Sequence, residues 1–119
     1  MDKLVLFDAE KHFLEILWAA EPVKSTELAR ICQEKLGWKK PTTFNMIRKL
    51  ADKRLLQNEN ATVTALISRR DLQRLESEAL LQQSFQGSVP AFLAAFLEGR
   101  RLEPDELEAL KRLIEEARS

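Results

Sequence analysis

Apolar positions recur with helical spacing along most of the chain and alternate over one short stretch. In DAEKHFLEILWAA (8–20), Phe13, Leu14, Leu17 and Trp18 fall on one helical face behind Asp8, a residue suited to N-capping. Pro22 predicts the stop of that helix. The second helix, ELARICQEKL, follows a Ser25 or Thr26 cap and turns Leu28, Ile31, Cys32 and Leu36 inward. Gly37 stands where a left-handed C-cap residue is favoured. A third helix is predicted from Pro41 or Thr42 to Arg54. Its inward set is Thr43, Met46, Ile47 and Leu50, and its outward set is Thr42, Phe44, Asn45, Arg48, Lys49 and Asp52. In LLQNENATVTALI (55–67) the β-formers Thr62, Val63 and Thr64 follow a polar Gln-Asn-Glu-Asn run that can turn, which predicts a short hairpin. Three helices and then a hairpin is the order of a winged helix-turn-helix.

The remainder has a different pattern. Ser68-Arg-Arg-Asp71 predicts a helix start, and the helix runs to about Gln86. Gly87-Ser88 breaks it, and residues 89–99 place Val89, Phe92, Leu93, Phe96 and Leu97 on one side. Pro104 opens a last helix striped by Leu107, Leu110, Leu113 and Ile114. These helices are too short and too apolar to fold as a separate module of about 50 residues. An arm of this kind is expected to bury its apolar faces against a second copy, giving a two-fold dimer. The predicted class is therefore mainly α with a small β-hairpin wing: a winged helix-turn-helix over 1–67 and a C-terminal helical dimerisation arm over 68–119. Phe85, Val89, Phe92, Leu93, Phe96, Leu97, Leu107 and Leu110 form the expected dimer interface.

Charge sharpens this picture. The 119-residue chain has no net charge, yet residues 24–54 carry nine basic and three acidic groups, while the segments 1–23 and 71–119 are net acidic. A basic block in a neutral chain suggests a local anionic partner. Cys32 and His12 are the only residues of their kinds, which excludes an intrachain disulfide and argues against a mononuclear metal site. With no Tyr, no Gly-rich phosphate loop and no Ser-His-Asp set, neither catalysis nor a cofactor is expected. No leader and no apolar run of membrane-spanning length is present, so a cytoplasmic protein without membrane insertion is expected.

The predicted third helix combines the two requirements of major-groove binding, cations for phosphate and short polar groups for base edges. Lys39 and Lys40 lie at its N-terminal approach, where backbone N–H groups also favour phosphate. Thr42, Thr43 and Asn45 lie in its first turns. Asparagine pairs bidentately with adenine, and an outward Phe44 packs on a thymine methyl. Arg48 and Lys49, one turn later, suit phosphate. Double-stranded DNA is thus the expected partner. The competing reading is a winged-helix protein-interaction module, which predicts no salt-dependent DNA affinity.

Four stretches resemble the penicillinase repressor family, in the same order and across nearly the whole chain. DAEKHFLEILW resembles its opening helix, and GW followed by TTFNMIRKLADKRLL resembles its recognition helix, including Lys49 before Leu50 and Lys53. LISRRDL is similar to the exit from its wing, and FQGSVPAFLAAFLEGRRLEPDELEALKRLI to its dimerisation arm. The resemblance implies a homodimeric transcriptional repressor on a two-fold operator, and a sensor protease as partner in the β-lactam branch. That branch is cut in the arm at an Asn-Phe bond, for which this chain has Ala95-Phe96. The copper branch carries a Cys-x-Cys pair, and no cysteine follows Cys32 here. The wing is about four residues shorter than the family's and lacks its basic residues, and Arg54 stands for a usual glycine.

Overall fold

A computed structural model describes residues 6–118, so the first five residues of the expected DNA-binding segment and Ser119 lie outside the described residues. The element order is α1 (Asp8–Ala20), β1 (Val23–Lys24), α2 (Ser25–Leu36), α3 (Lys40–Asp52), β2 (Leu56–Glu59), β3 (Thr62–Ala65), α4 (Arg69–Phe85), α5 (Val89–Leu97) and α6 (Pro104–Glu116). The winged helix-turn-helix is present: three helices, then a hairpin whose strands join β1 in a three-stranded antiparallel sheet of order β1-β3-β2.

The apolar stripes fold as their spacing requires. Phe13, Leu14 and Leu17 of α1, Leu28 and Cys32 of α2, Ile47 and Leu50 of α3 and Leu56 and Val63 of the hairpin form one buried cluster. Ile31 and Leu36 are only half-buried, and Ala29 takes the inward position instead. The Phe13 and Trp38 rings stack at 6.2 Å, and the Trp18 indole N–H donates to the Ile67 carbonyl at 2.8 Å, fixing the chain as it leaves the sheet.

Local chemistry sets the ends. Gly37 has φ 70° and ends α2 with its N–H on the Gln33 carbonyl, while the Trp38 N–H reaches the Cys32 carbonyl. At the start of α1 the cap position is Phe7, one residue before Asp8, because Glu10 turns back and accepts the Phe7 N–H at 3.0 Å. At α2 the cap is likewise one residue early, at Lys24, and Ser25 is buried as the first helical residue. The two-residue strand β1 was not expected from the sequence. Its Val23 pairs with Val63, and the Ser25 N–H donates to the Ala61 carbonyl at 2.8 Å, so the hairpin turn is docked on the start of α2. The turn itself is Asn60-Ala61, both at positive φ as a two-residue hairpin of this hand requires, and Gln57, Asn58 and Glu59 belong to the strand.

The chain divides into two compact units, one ending at Ala79 and the other beginning at Leu80, so the division falls inside α4. The first turns of α4 belong to the first unit because Leu72 is buried in its core and Leu75 packs against it. The Ser68 hydroxyl caps this helix by accepting the Asp71 N–H at 3.0 Å. Arg69 pairs with Glu15 and lies over the Trp18 ring, and Lys11 pairs with Glu76. In the second unit the Ser88 hydroxyl caps α5, and the Phe92 ring meets Phe85 edge-on and stacks near Phe96. The Arg100 guanidinium covers Phe96 at 4.3 Å.

Candidate nucleic-acid interface

The exposed face of α3 is defined by what its other face must bury. Thr43, Ile47 and Leu50 recur at helical spacing and are buried, which leaves Thr42, Asn45, Arg48 and Lys49 exposed on the opposite side. Lys39 is the N-cap residue and Lys40 and Pro41 open the helix. Pro41 has no N–H, and the Thr42 and Thr43 N–H groups donate to the Lys39 carbonyl, so it is the positive end of the helix dipole that adds to the charge of the two lysines. Neither lysine forms an ion pair among the described residues, and both are exposed. Lys39, Lys40, Thr42, Asn45 and Arg48 therefore come together on one outward surface.

Two expected base readers do not share that surface as proposed. Thr43 is fully buried, because it occupies the same inward row as Ile47 and Leu50, so its hydroxyl is not available to a base. Its Oγ1 has no hydrogen-bond partner among the described residues and lies beside the Cys32 thiol. Burial pushes that thiol above its usual range, and the Thr43 hydroxyl offsets part of the rise. Phe44, expected to face outward, is half-buried and packs against the core cluster, since an exposed aromatic ring gains by covering apolar surface.

Asn45 and Arg48 interact with one another. The Arg48 guanidinium donates to the Asn45 Oδ1 at 3.4 Å, a long and exposed bond that costs little to exchange for a base or a phosphate. The wing adds little charge: residues 55–68 hold no basic residue, and Gln57, Asn58, Glu59 and Asn60 are exposed. Arg54, ahead of the wing, is exposed with φ 63°, a left-handed conformation in which glycine would be unstrained.

The sequence pattern did not reveal Glu10. This carboxylate is 1% exposed, inside the first turn of α1. Its Oε1 accepts the Phe7 N–H, and its Oε2 lies 3.0 Å from Lys53 Nζ and 3.6 Å from Lys49 Nζ. Burial pushes its pKa up, but the Phe7 N–H and the Lys53 and Lys49 ammonium groups outweigh that and hold it below the ordinary 4.5. Lys49 also lies 5.8 Å from the centre of the Phe7 ring. Lys49 is thus exposed along its length, yet its charge is shared with Glu10. The sequence carried one clue: two lysines four residues apart on one helix repel each other unless an anion sits between them.

A family model of penicillinase repressors matches residues 6–116. The chain belongs to the penicillinase repressor family. The penicillinase repressor of Bacillus licheniformis is 22% identical over 113 residues, covering 92% of this chain and 88% of that relative. Membership in this family of transcriptional repressors gives the chain a role in transcription regulation. Among the described residues no cluster of three or more His, Cys, Asp or Glu could hold a metal ion, and no helix is long and apolar enough to cross a membrane.

Proposed function

We propose that this repressor acts as a homodimer that binds a two-fold operator through α3, in the cytoplasm. The outward face of α3 supports this reading: Thr42 and Asn45 are exposed and suit base edges, Lys39, Lys40 and Arg48 around them suit phosphate, and Lys49 divides its charge between phosphate and Glu10. Residues 1–67 read DNA and residues 68–119 bring two copies together. In the arm, Val89 and Phe96 are 53% and 50% exposed and Leu107 is also exposed, and these apolar side chains gain by burial against a second copy. Phe85, Phe92, Leu93, Leu97 and Leu110 are half-buried within the arm and support that face. The bond between Ala95 and Phe96, both exposed, is the position at which a sensor protease would act on this arm.

The test is a fluorescence-anisotropy titration of the purified protein on its own upstream DNA and on a shuffled duplex, repeated over a range of salt. Operator binding predicts selective affinity for the upstream DNA and a steep fall of affinity with salt on both duplexes. A protein-interaction module predicts neither.

A further inference from the structure

The outward row of α3 does not end at Asn45. Positions 42, 45, 49 and 53 follow one another at three- and four-residue steps, so the row that starts with Thr42 and Asn45 continues into Lys49 and Lys53. That end of the row meets α1. Glu10 places one buried carboxylate oxygen 3.0 Å from Lys53 and 3.6 Å from Lys49, and the Phe7 ring flanks the Lys49 ammonium. The two lysines are 34% and 49% exposed, so both reach solvent while their charged ends turn toward the carboxylate. The carboxylate in turn is held by the Phe7 N–H and cannot swing away without giving up the hydrogen bond that caps α1.

We infer that Glu10 is a positioning residue for DNA binding: it draws Lys49 and Lys53 back from the phosphates and so limits how tightly the protein holds DNA of any sequence. The inference rests on the operator-binding reading above and adds to it a built-in limit on the charge that α3 can spend. Affinity from phosphate contacts carries no sequence information, so an anion that restrains two cations of the reading helix keeps random DNA from competing. A carboxylate with a purely architectural role would join α1 to α3 without altering the number of counterions displaced by DNA.

The experiment measures the salt dependence of binding to a random-sequence duplex. Glu10→Gln keeps the side-chain length and an oxygen for the Phe7 N–H while deleting the charge. It is expected to bind the random duplex more tightly at low salt and to steepen the slope of log affinity against log salt by about one. Between 50 and 200 mM salt its affinity then falls about fourfold further than that of the wild type. In the double variant Glu10→Gln/Lys53→Gln one cation is removed with the anion, and the slope returns to the wild-type value. A folded Glu10→Gln protein with an unchanged slope, or a double variant that does not return, overturns the inference.

A second measurement on the wild-type protein needs no variant. Lysine ammonium NMR signals are followed as the random duplex is added, and Lys40 is expected to shift strongly and Lys53 far less. Equal shifts at Lys40 and Lys53 overturn the inference even if Glu10→Gln fails to fold. Lys40→Ala separates the two levels. If it flattens the slope while Glu10→Gln leaves it unchanged, DNA contact through α3 stands and only the role of Glu10 falls. If the wild type binds no DNA, both fall.

Discussion

Replacing Thr43 by valine separates burial from base reading at a position where periodicity and composition point in opposite directions. Thr43 is fully buried on the inner row of α3, and its Oγ1 has no hydrogen-bond partner among the described residues. Burying an unpaired hydroxyl costs about 1–3 kcal/mol in mutational data. Valine has the same shape without the hydroxyl, so it fills the site and removes that cost. The polarisable Cys32 thiol beside the hydroxyl softens the penalty without forming a hydrogen bond to it, which puts the expected gain near the low end, about 1 kcal/mol. For a unit of this size that raises the melting temperature by about 4–8 °C. Thermal and urea unfolding read the stability, and anisotropy on the upstream DNA reads the affinity, which is expected to stay within about twofold. A Thr43→Val protein that is less stable, or that loses tenfold in selective affinity at unchanged stability, would refute the buried, unpartnered assignment.

Other substitutions test the remaining parts. Asn45→Ala is expected to cost about 1–3 kcal/mol of operator affinity and to relax one base position, measured by binding to a set of single-base operator variants. Lys40→Ala should weaken operator and random DNA alike and flatten the salt slope by about one unit. Val89→Asp with Leu107→Asp places charge on the exposed apolar face of the arm; sedimentation equilibrium should show dimer dissociation raised at least tenfold, since each buried aliphatic side chain contributes about 1.5–3 kcal/mol. Glu10→Gln is expected to lower stability at neutral pH by about 1–3 kcal/mol, at the lower end because the lysines are partly exposed. The folded protein holds the Glu10 carboxyl below its ordinary 4.5, so this contribution is complete above that value and is lost as pH falls through the folded pKa. The difference between wild type and variant in urea unfolding should therefore be constant from neutral pH to about 4.5 and shrink below it.

The helices and the hairpin could be read from the sequence because local chemistry and tertiary structure agree there. Gly37 ends α2 at positive φ, Ser68 and Ser88 accept the N–H groups of the helices that follow them, and Pro104 starts α6. What could not be read depends on distant partners. Strand β1 is two residues long and exists because Val63, forty residues on, offers it a pairing edge. Glu10 has the appearance of an ordinary acidic residue in a first helical turn; its pairing depends on Lys53, forty-three residues away. Thr43 shows the opposite error. Its spacing with Ile47 and Leu50 placed it inward, but its residue type suited a base contact, and burial followed the spacing. Phe44 lies at the border of the two faces, where a large ring gains more by covering the core than by standing in solvent.

Hydroxyl-radical footprinting of the wild-type protein on its own upstream DNA tests most directly whether α3 reads an operator as part of a two-fold dimer. Two protected segments related by a dyad, with centres about one helical turn (~10 bp) or a multiple of it apart, are the predicted result. They should appear at protein concentrations that leave the flanking DNA unprotected and freely cleaved. Protection spread evenly along the duplex, a single unpaired segment, or none at all would contradict operator recognition by a dimer.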